Sequence, residues 1–118
     1  TYETWAQGYL RVFYYVLDNK SFVMSTYHSV CRDELEKYLF NEMYLILKDV
    51  VDEVSAGLNI SDENKAFVAN FYKYAYVGQM LDWIAGGMKQ SPEEMVGKTE
   101  QIMKGNIMKA VEALETDI

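Results

Sequence analysis

The residues with most chemical potential in this 118-residue chain are its single histidine, His28, and its single cysteine, Cys31. They lie one helical turn apart, a spacing that can share a metal ion. A metal site needs further ligands in fixed geometry, however, and Glu34 is nearby but not set apart from the other acids. No Glu-x-x-His pair of the kind a di-iron helical bundle requires is present. As a nucleophile and base, Cys31 and His28 lack an evident orienting third group. Gly86-Gly87 follows a helical pattern and does not join a strand to a helix, so it does not read as a phosphate loop. Arg11 and Arg32 are the only arginines, and most lysines fall on wet faces, so an anionic substrate has few inward cations to meet. We therefore expect no catalytic residue, metal or cofactor.

Binding is better supported. The chain carries 10 Tyr, 5 Phe, 2 Trp and 7 Met. Amphipathic rings and soft thioethers suit irregular cavities and adaptable surfaces, although the same residues can fill an aromatic-rich core. The net charge of −7 repels phosphate backbones, so this segment is not expected to bind DNA or RNA itself. One cysteine precludes an internal disulfide and fits a reducing cytoplasm. No apolar run approaches the ~20 residues that span a bilayer. The length is that of one domain, 1–118, able to bury a core without staples. Because the chain starts at Thr1 and enters an aromatic helical pattern at once, we expect an excised domain whose upstream part is missing.

Sparse β-branched alternation and a single proline, Pro92, predict an all-α fold of about five helices. The first covers Tyr2 to Leu17, with Trp5, Tyr9, Val12 and Val16 on one face. Asp18-Asn19-Lys20 reads as a break, and Ser21 as the N-cap of a short second helix bearing Met24, Tyr27, His28 and Cys31. Asp33 and Glu36 resemble a capping box opening the third, whose stripe is Leu35, Leu39, Met43, Ile46, Val50 and Val54. Gly57 ends it, and Ser61-Asp62-Glu63 starts the next.

The central helix, Phe67 to Met88, is apolar nearly all round. Phe67, Phe71, Tyr74, Gly78, Leu81 and Ala85 make one face, while Val68, Tyr72, Ala75, Val77, Met80, Trp83 and Ile84 cover much of the rest. Such a helix is central, or it faces a core on one side and a partner on the other. In Ser91-Pro92-Glu93-Glu94, serine caps, proline takes the first helical position and Glu94 completes the box. The last helix carries Val96, Met103, Ile107, Ala110 and Leu114. Gly97 and Gly105 lie inside it, each costing about 1 kcal/mol relative to alanine, which either close approach of another helix or a tolerated imperfection would explain. The final two helices are expected to be a long antiparallel pair that forms a four-helix bundle with its twofold copy.

These elements place Trp5, Tyr9, Phe13, Met24, Tyr27, His28 and Met43 toward Phe71 and Tyr74, a candidate ligand pocket. The candidate dimer interface is Tyr72, Tyr76, Met80, Trp83, Met103, Ile107 and Val111. The central helix would border the pocket through Phe71 and Tyr74 and face the second subunit through Tyr72 and Tyr76.

Phe71-Tyr72, Tyr76, Gly78, Trp83, Gly87-Met88, Pro92 and Glu93-Glu94 together resemble the C-terminal regulatory domain of TetR/AcrR-type transcriptional regulators, in the flavour of the dihydroxyacetone-kinase-operon branch. The resemblance extends from about Trp5 to Leu114 and is most specific from Phe71 to Glu94. It implies a homodimer formed through helices matching about Asp62–Gly86 and Pro92–Glu115, with a small organic effector bound in the domain. It also implies operator DNA bound only by an N-terminal helix-turn-helix domain, which this chain lacks. Some regulators of that branch resemble activators that work with a protein co-regulator. No ligand residues carry over, because pocket residues vary with the effector. Two readings compete with this one: a helical module that docks a protein partner without a small-molecule pocket, and a small all-α enzyme.

Overall fold

A computed structural model describes residues 4–116. Among them the chain forms six helices and no strand: α1 (Thr4–Asp18), α2 (Lys20–Tyr27), α3 (Arg32–Val54), α4 (Asp62–Ala85), α5 (Pro92–Met103) and α6 (Asn106–Ala113). The all-α expectation holds. The predicted start of the first helix at Tyr2 lies outside the described residues.

Two of the sequence-read helix starts are seen as hydrogen bonds. The Ser61 and Ser91 side chains accept from the backbone N–H groups of Asn64 and Glu94, both at 3.1 Å, with Pro92 in the first turn. Each serine satisfies a donor that the first turn leaves unpaired, and the acidic residues beside it sit at the positive end of the helix. Other starts differ. Ser21 lies within α2, whose N-cap is Asn19, and α3 begins after Cys31; neither cap makes a side-chain hydrogen bond. α4 ends in a Schellman turn. The Met88 N–H bonds the Trp83 carbonyl at 2.8 Å and the Gly87 N–H bonds that of Ile84 at 3.0 Å. Gly87 occupies the left-handed position with φ of 90°, where a side chain would be strained. The Trp83 indole N–H then donates to the Gln90 carbonyl at 2.8 Å and pins the turn into α5.

The predicted last helix is two helices. Lys104 and Gly105 interrupt it, and Gly105 is left-handed at φ of 75°. Among the described residues nothing would lie within 4 Å of a Cβ at Gly97 or Gly105, so no other helix of this chain approaches closely at either. That role belongs to Gly8 on α1, where a Cβ would stand 3.0 Å from the Ile46 side chain of α3.

α4 packs most broadly against α3, while α5 lies against α1 and α6 against α3 and α4. Thr116 closes the far end: its N–H bonds the Asn59 carbonyl at 2.8 Å, which brings the end of α6 back to the start of α4. The α5–α6 arm therefore runs antiparallel to α4, but α3 is α4's main partner. The body measures 52 × 28 × 16 Å with a radius of gyration of 15.3 Å. A compact chain of this length would give about 13–14 Å, so this is a flattened slab with much helix surface uncovered.

Candidate functional site

The core contains an aromatic zipper between α1 and α4. Trp5 and Tyr9 meet Tyr76 edge-on at ring separations of 5.0 and 4.9 Å, Tyr9 meets Phe13 at 4.8 Å, and Phe13 meets Trp83 at 4.8 Å. Edge-to-face pairs of this kind each contribute about 0.5–1.5 kcal/mol beyond area burial. The Tyr9 hydroxyl donates to the Tyr76 carbonyl oxygen at 2.6 Å. Burial pushes both the Tyr9 and the Tyr76 phenols well above their ordinary range, so both stay neutral. The Tyr76 hydroxyl is buried with no hydrogen-bond partner among the described residues. It lies near a small cleft of about 70 Å³ lined by Ala75, Gln79, Thr99, Ile102 and Met103.

The sequence-derived pocket residues separate into three groups. Trp5, Tyr9, Phe13 and Met43 come together but close into solid core. Met24 and Tyr27 are half-buried on α2, and His28 is exposed just beyond it, edge-on to Tyr27 at 5.2 Å. Phe71 and Tyr74 are 65% and 61% exposed on α4. They do not line one cavity. The interface residues Tyr76, Met80, Trp83, Met103, Ile107 and Val111 are buried inside the chain, and only Tyr72 of that set is half-buried. On α4 the two faces are thus exchanged relative to expectation. The Tyr76 face turns into the core, and the face carrying Phe67, Phe71, Tyr74 and Gly78 is uncovered.

That uncovered face is continuous with a shallow apolar groove. Phe67, Val68, Phe71 and Tyr72 of α4 and Ala110, Ala113 and Leu114 flank a hollow of about 220 Å³. Phe67 is 63% exposed, and Ile102 on α5 is 68% exposed. Gly78 has no neighbour within 4 Å, so another backbone could approach closely there. At one edge Lys73 stands over the rings of Tyr74, Phe40 and Tyr44 at 5.2–5.7 Å, its ammonium held by their faces.

A second feature lies between α1, α2 and α3. A concavity of about 480 Å³ is walled by Tyr15, Val16, Phe22, Val23, Leu35 and Tyr38, with Asn19, Ser25, Thr26, Ser29, Cys31 and Glu34 among them. Its size and mainly apolar walls with a few polar groups suit a small organic ligand. The sequence reading missed these residues because it followed the core-facing stripe of each helix. A signal was present: Phe22, Ser25, Thr26 and Ser29 recur at three- and four-residue spacing and set hydroxyls beside a ring. Among the described residues no group of three or more His, Cys, Asp or Glu could hold a metal ion, and Cys31 is exposed and unpaired.

Residues 3–105 match the family model described as a transcriptional regulator C-terminal region, of the TetR family. The chain belongs to that TetR-family C-terminal region. No curated protein and no solved structure gives a significant match. The match spans α1 to α5 of this TetR-family domain and ends at Gly105, where α6 begins. No described helix of the domain is long and apolar enough to cross a membrane.

Proposed function

We propose that this TetR-family domain pairs with a second copy of itself and senses a small organic effector. It would thereby control operator binding by a helix-turn-helix domain of the parent protein, in the cytoplasm. The observation that carries the reading is one small body holding both a ligand-sized concavity and an uncovered apolar helix face. α1 supplies Tyr15 and Val16 to the concavity and Tyr9 and Phe13 to the core that backs α4. An effector that shifts α1 would therefore act on α4 through the Tyr9–Tyr76 contact. Only an effector with different affinity for two arrangements does this, and a shift from 1:99 to 99:1 needs about 10⁴-fold discrimination.

The experiment is a ligand screen by thermal shift on the domain, followed by operator binding of the parent protein with each hit. Hits that change operator affinity, and lose that effect when Phe22→Ala or Tyr38→Ala weakens their binding, support the reading. Hits that bind in the concavity while operator affinity stays constant overturn it.

A further inference from the structure

The concavity between α1, α2 and α3 has a charge character of its own. Among the described residues its only charged wall is the Glu34 carboxylate; no lysine, arginine or histidine lines it. Both arginines are placed elsewhere. Arg32 stacks on the Tyr27 ring at 4.1 Å and its Nε donates to the Tyr27 carbonyl at 2.8 Å. Arg11 shares a separate hollow with Glu42 beyond the Tyr15–Tyr38 pair.

Two of the hydroxyls lean in the same direction. The Thr26 hydroxyl donates to the Phe22 carbonyl at 2.9 Å, and the Ser29 hydroxyl donates to the Thr26 carbonyl at 2.8 Å. The Asn19 amide nitrogen donates to the Tyr15 carbonyl at 2.8 Å. Thr26 and Ser29 thus spend their only hydroxyl proton on the backbone and offer a ligand oxygen lone pairs, although Ser29 Oγ already accepts the Cys31 N–H at 3.0 Å; Asn19 keeps its side-chain oxygen and a second N–H. Tyr15 and Tyr38 add two ring faces with centroids 6.0 Å apart, a surface that attracts cations.

From these placements we infer that the α1–α2–α3 concavity takes an organic cation, an ammonium ion on an aromatic or aliphatic body, with Glu34 as counter-charge. The apolar walls Phe22, Leu35 and Val23 hold the body, and the acceptor oxygens of Thr26, Ser29 and Asn19 receive the ammonium N–H groups. An anionic ligand would find the Glu34 charge, no cation and only uncharged donors such as the Ser25 hydroxyl and the second Asn19 N–H, so its carboxylate or phosphate would lose more hydration than it regained. The inference rests on the reading of this concavity as the effector site and adds the chemical class.

The test is calorimetric titration of the domain at low salt with three probes: a naphthylalkyl primary ammonium ion, and the alcohol and the carboxylate of the same length. The ammonium should bind on the order of tenfold more tightly than the carboxylate, with the alcohol between them. Glu34→Gln should remove most of that preference, and Ser25→Arg, on the exposed face of α2, should reverse it. A carboxylate bound as tightly as the ammonium overturns the inference and leaves the effector reading intact. An ammonium preference unchanged in E34Q traces to the overall charge of −7 and also overturns it. Failure of all three probes to bind overturns the inference, and the ligand screen then decides the effector reading separately.

Discussion

The phenolic hydroxyl of Tyr9 on α1 donates to the main-chain carbonyl of Tyr76 on α4 at 2.6 Å, across a sequence separation of 67. That carbonyl belongs to the helix that turns its opposite face outward, so one bond joins the buried and uncovered sides of the molecule. The Tyr76 hydroxyl, by contrast, is buried without a partner among the described residues. The two tyrosines should therefore respond oppositely to the same change. Tyr9→Phe should cost about 1 kcal/mol, the net worth of a buried hydrogen bond. Tyr76→Phe should be neutral or stabilising, since it removes an unsatisfied hydroxyl. Urea unfolding of both variants measures the contrast; equal losses would mean that the Tyr76 hydroxyl is satisfied in solution.

Substitutions on the two faces of α4 should differ in kind. Phe71→Glu, at a position 65% exposed, should leave the fold stable and shift the domain toward monomer in light scattering. Val77→Glu or Tyr76→Glu should unfold the chain, because both side chains are buried within it and a lone carboxylate there has no partner. A Phe71→Glu protein that stays fully dimeric would place the interface elsewhere.

Tyr14 on α1 hydrogen-bonds the Glu93 carboxylate in the first turn of α5. That bond holds the Glu93 carboxyl below its ordinary value and, with burial and the Glu93 and Asp18 charges, raises the Tyr14 phenol above its own. A carboxylate with a lowered folded pKa stabilises above its unfolded pKa and loses the effect as acid protonates it. A phenol with a raised folded pKa stabilises below its unfolded pKa and loses the effect as base ionises it. The stability difference between wild type and Tyr14→Phe should therefore be present between about pH 5 and 10 and shrink on either side. Both groups are solvent-facing, so the effect is small. Denaturation midpoints across pH measure it, and a difference that is flat into acid would deny the Glu93 contact.

Two glycines in the C-terminal arm should also diverge. Gly105→Ala should destabilise by about 1 kcal/mol, because the left-handed φ of 75° strains any Cβ. Gly97→Ala sits in helical backbone with nothing within 4 Å and should stabilise by up to about 1 kcal/mol. Thermal melts of the two variants suffice, and a shift in the same direction for both would mean that α5 and α6 form one continuous helix.

Some features were legible in the residues alone. Helical periodicity, the Ser61 and Ser91 caps and the Gly87 stop are decided within a few residues, by backbone donors and acceptors that the local chain must satisfy. The TetR-type likeness was legible from Phe71 to Glu94. What one sequence could not decide was which side of an all-round apolar helix meets the chain's own core. Phe71 and Tyr76 are equally apolar at their spacing, and only the zipper with Trp5, Tyr9 and Phe13 assigns Tyr76 inward and leaves Phe71 in solvent. Likewise Gly97 and Gly105 look alike as letters, yet Gly97 stays within α5 while Gly105 takes a left-handed φ of 75° between α5 and α6. Local hydrogen bonding determined the helices; the partition of buried area among competing faces, a property of the whole packed slab, decided where the concavity and the uncovered face lie.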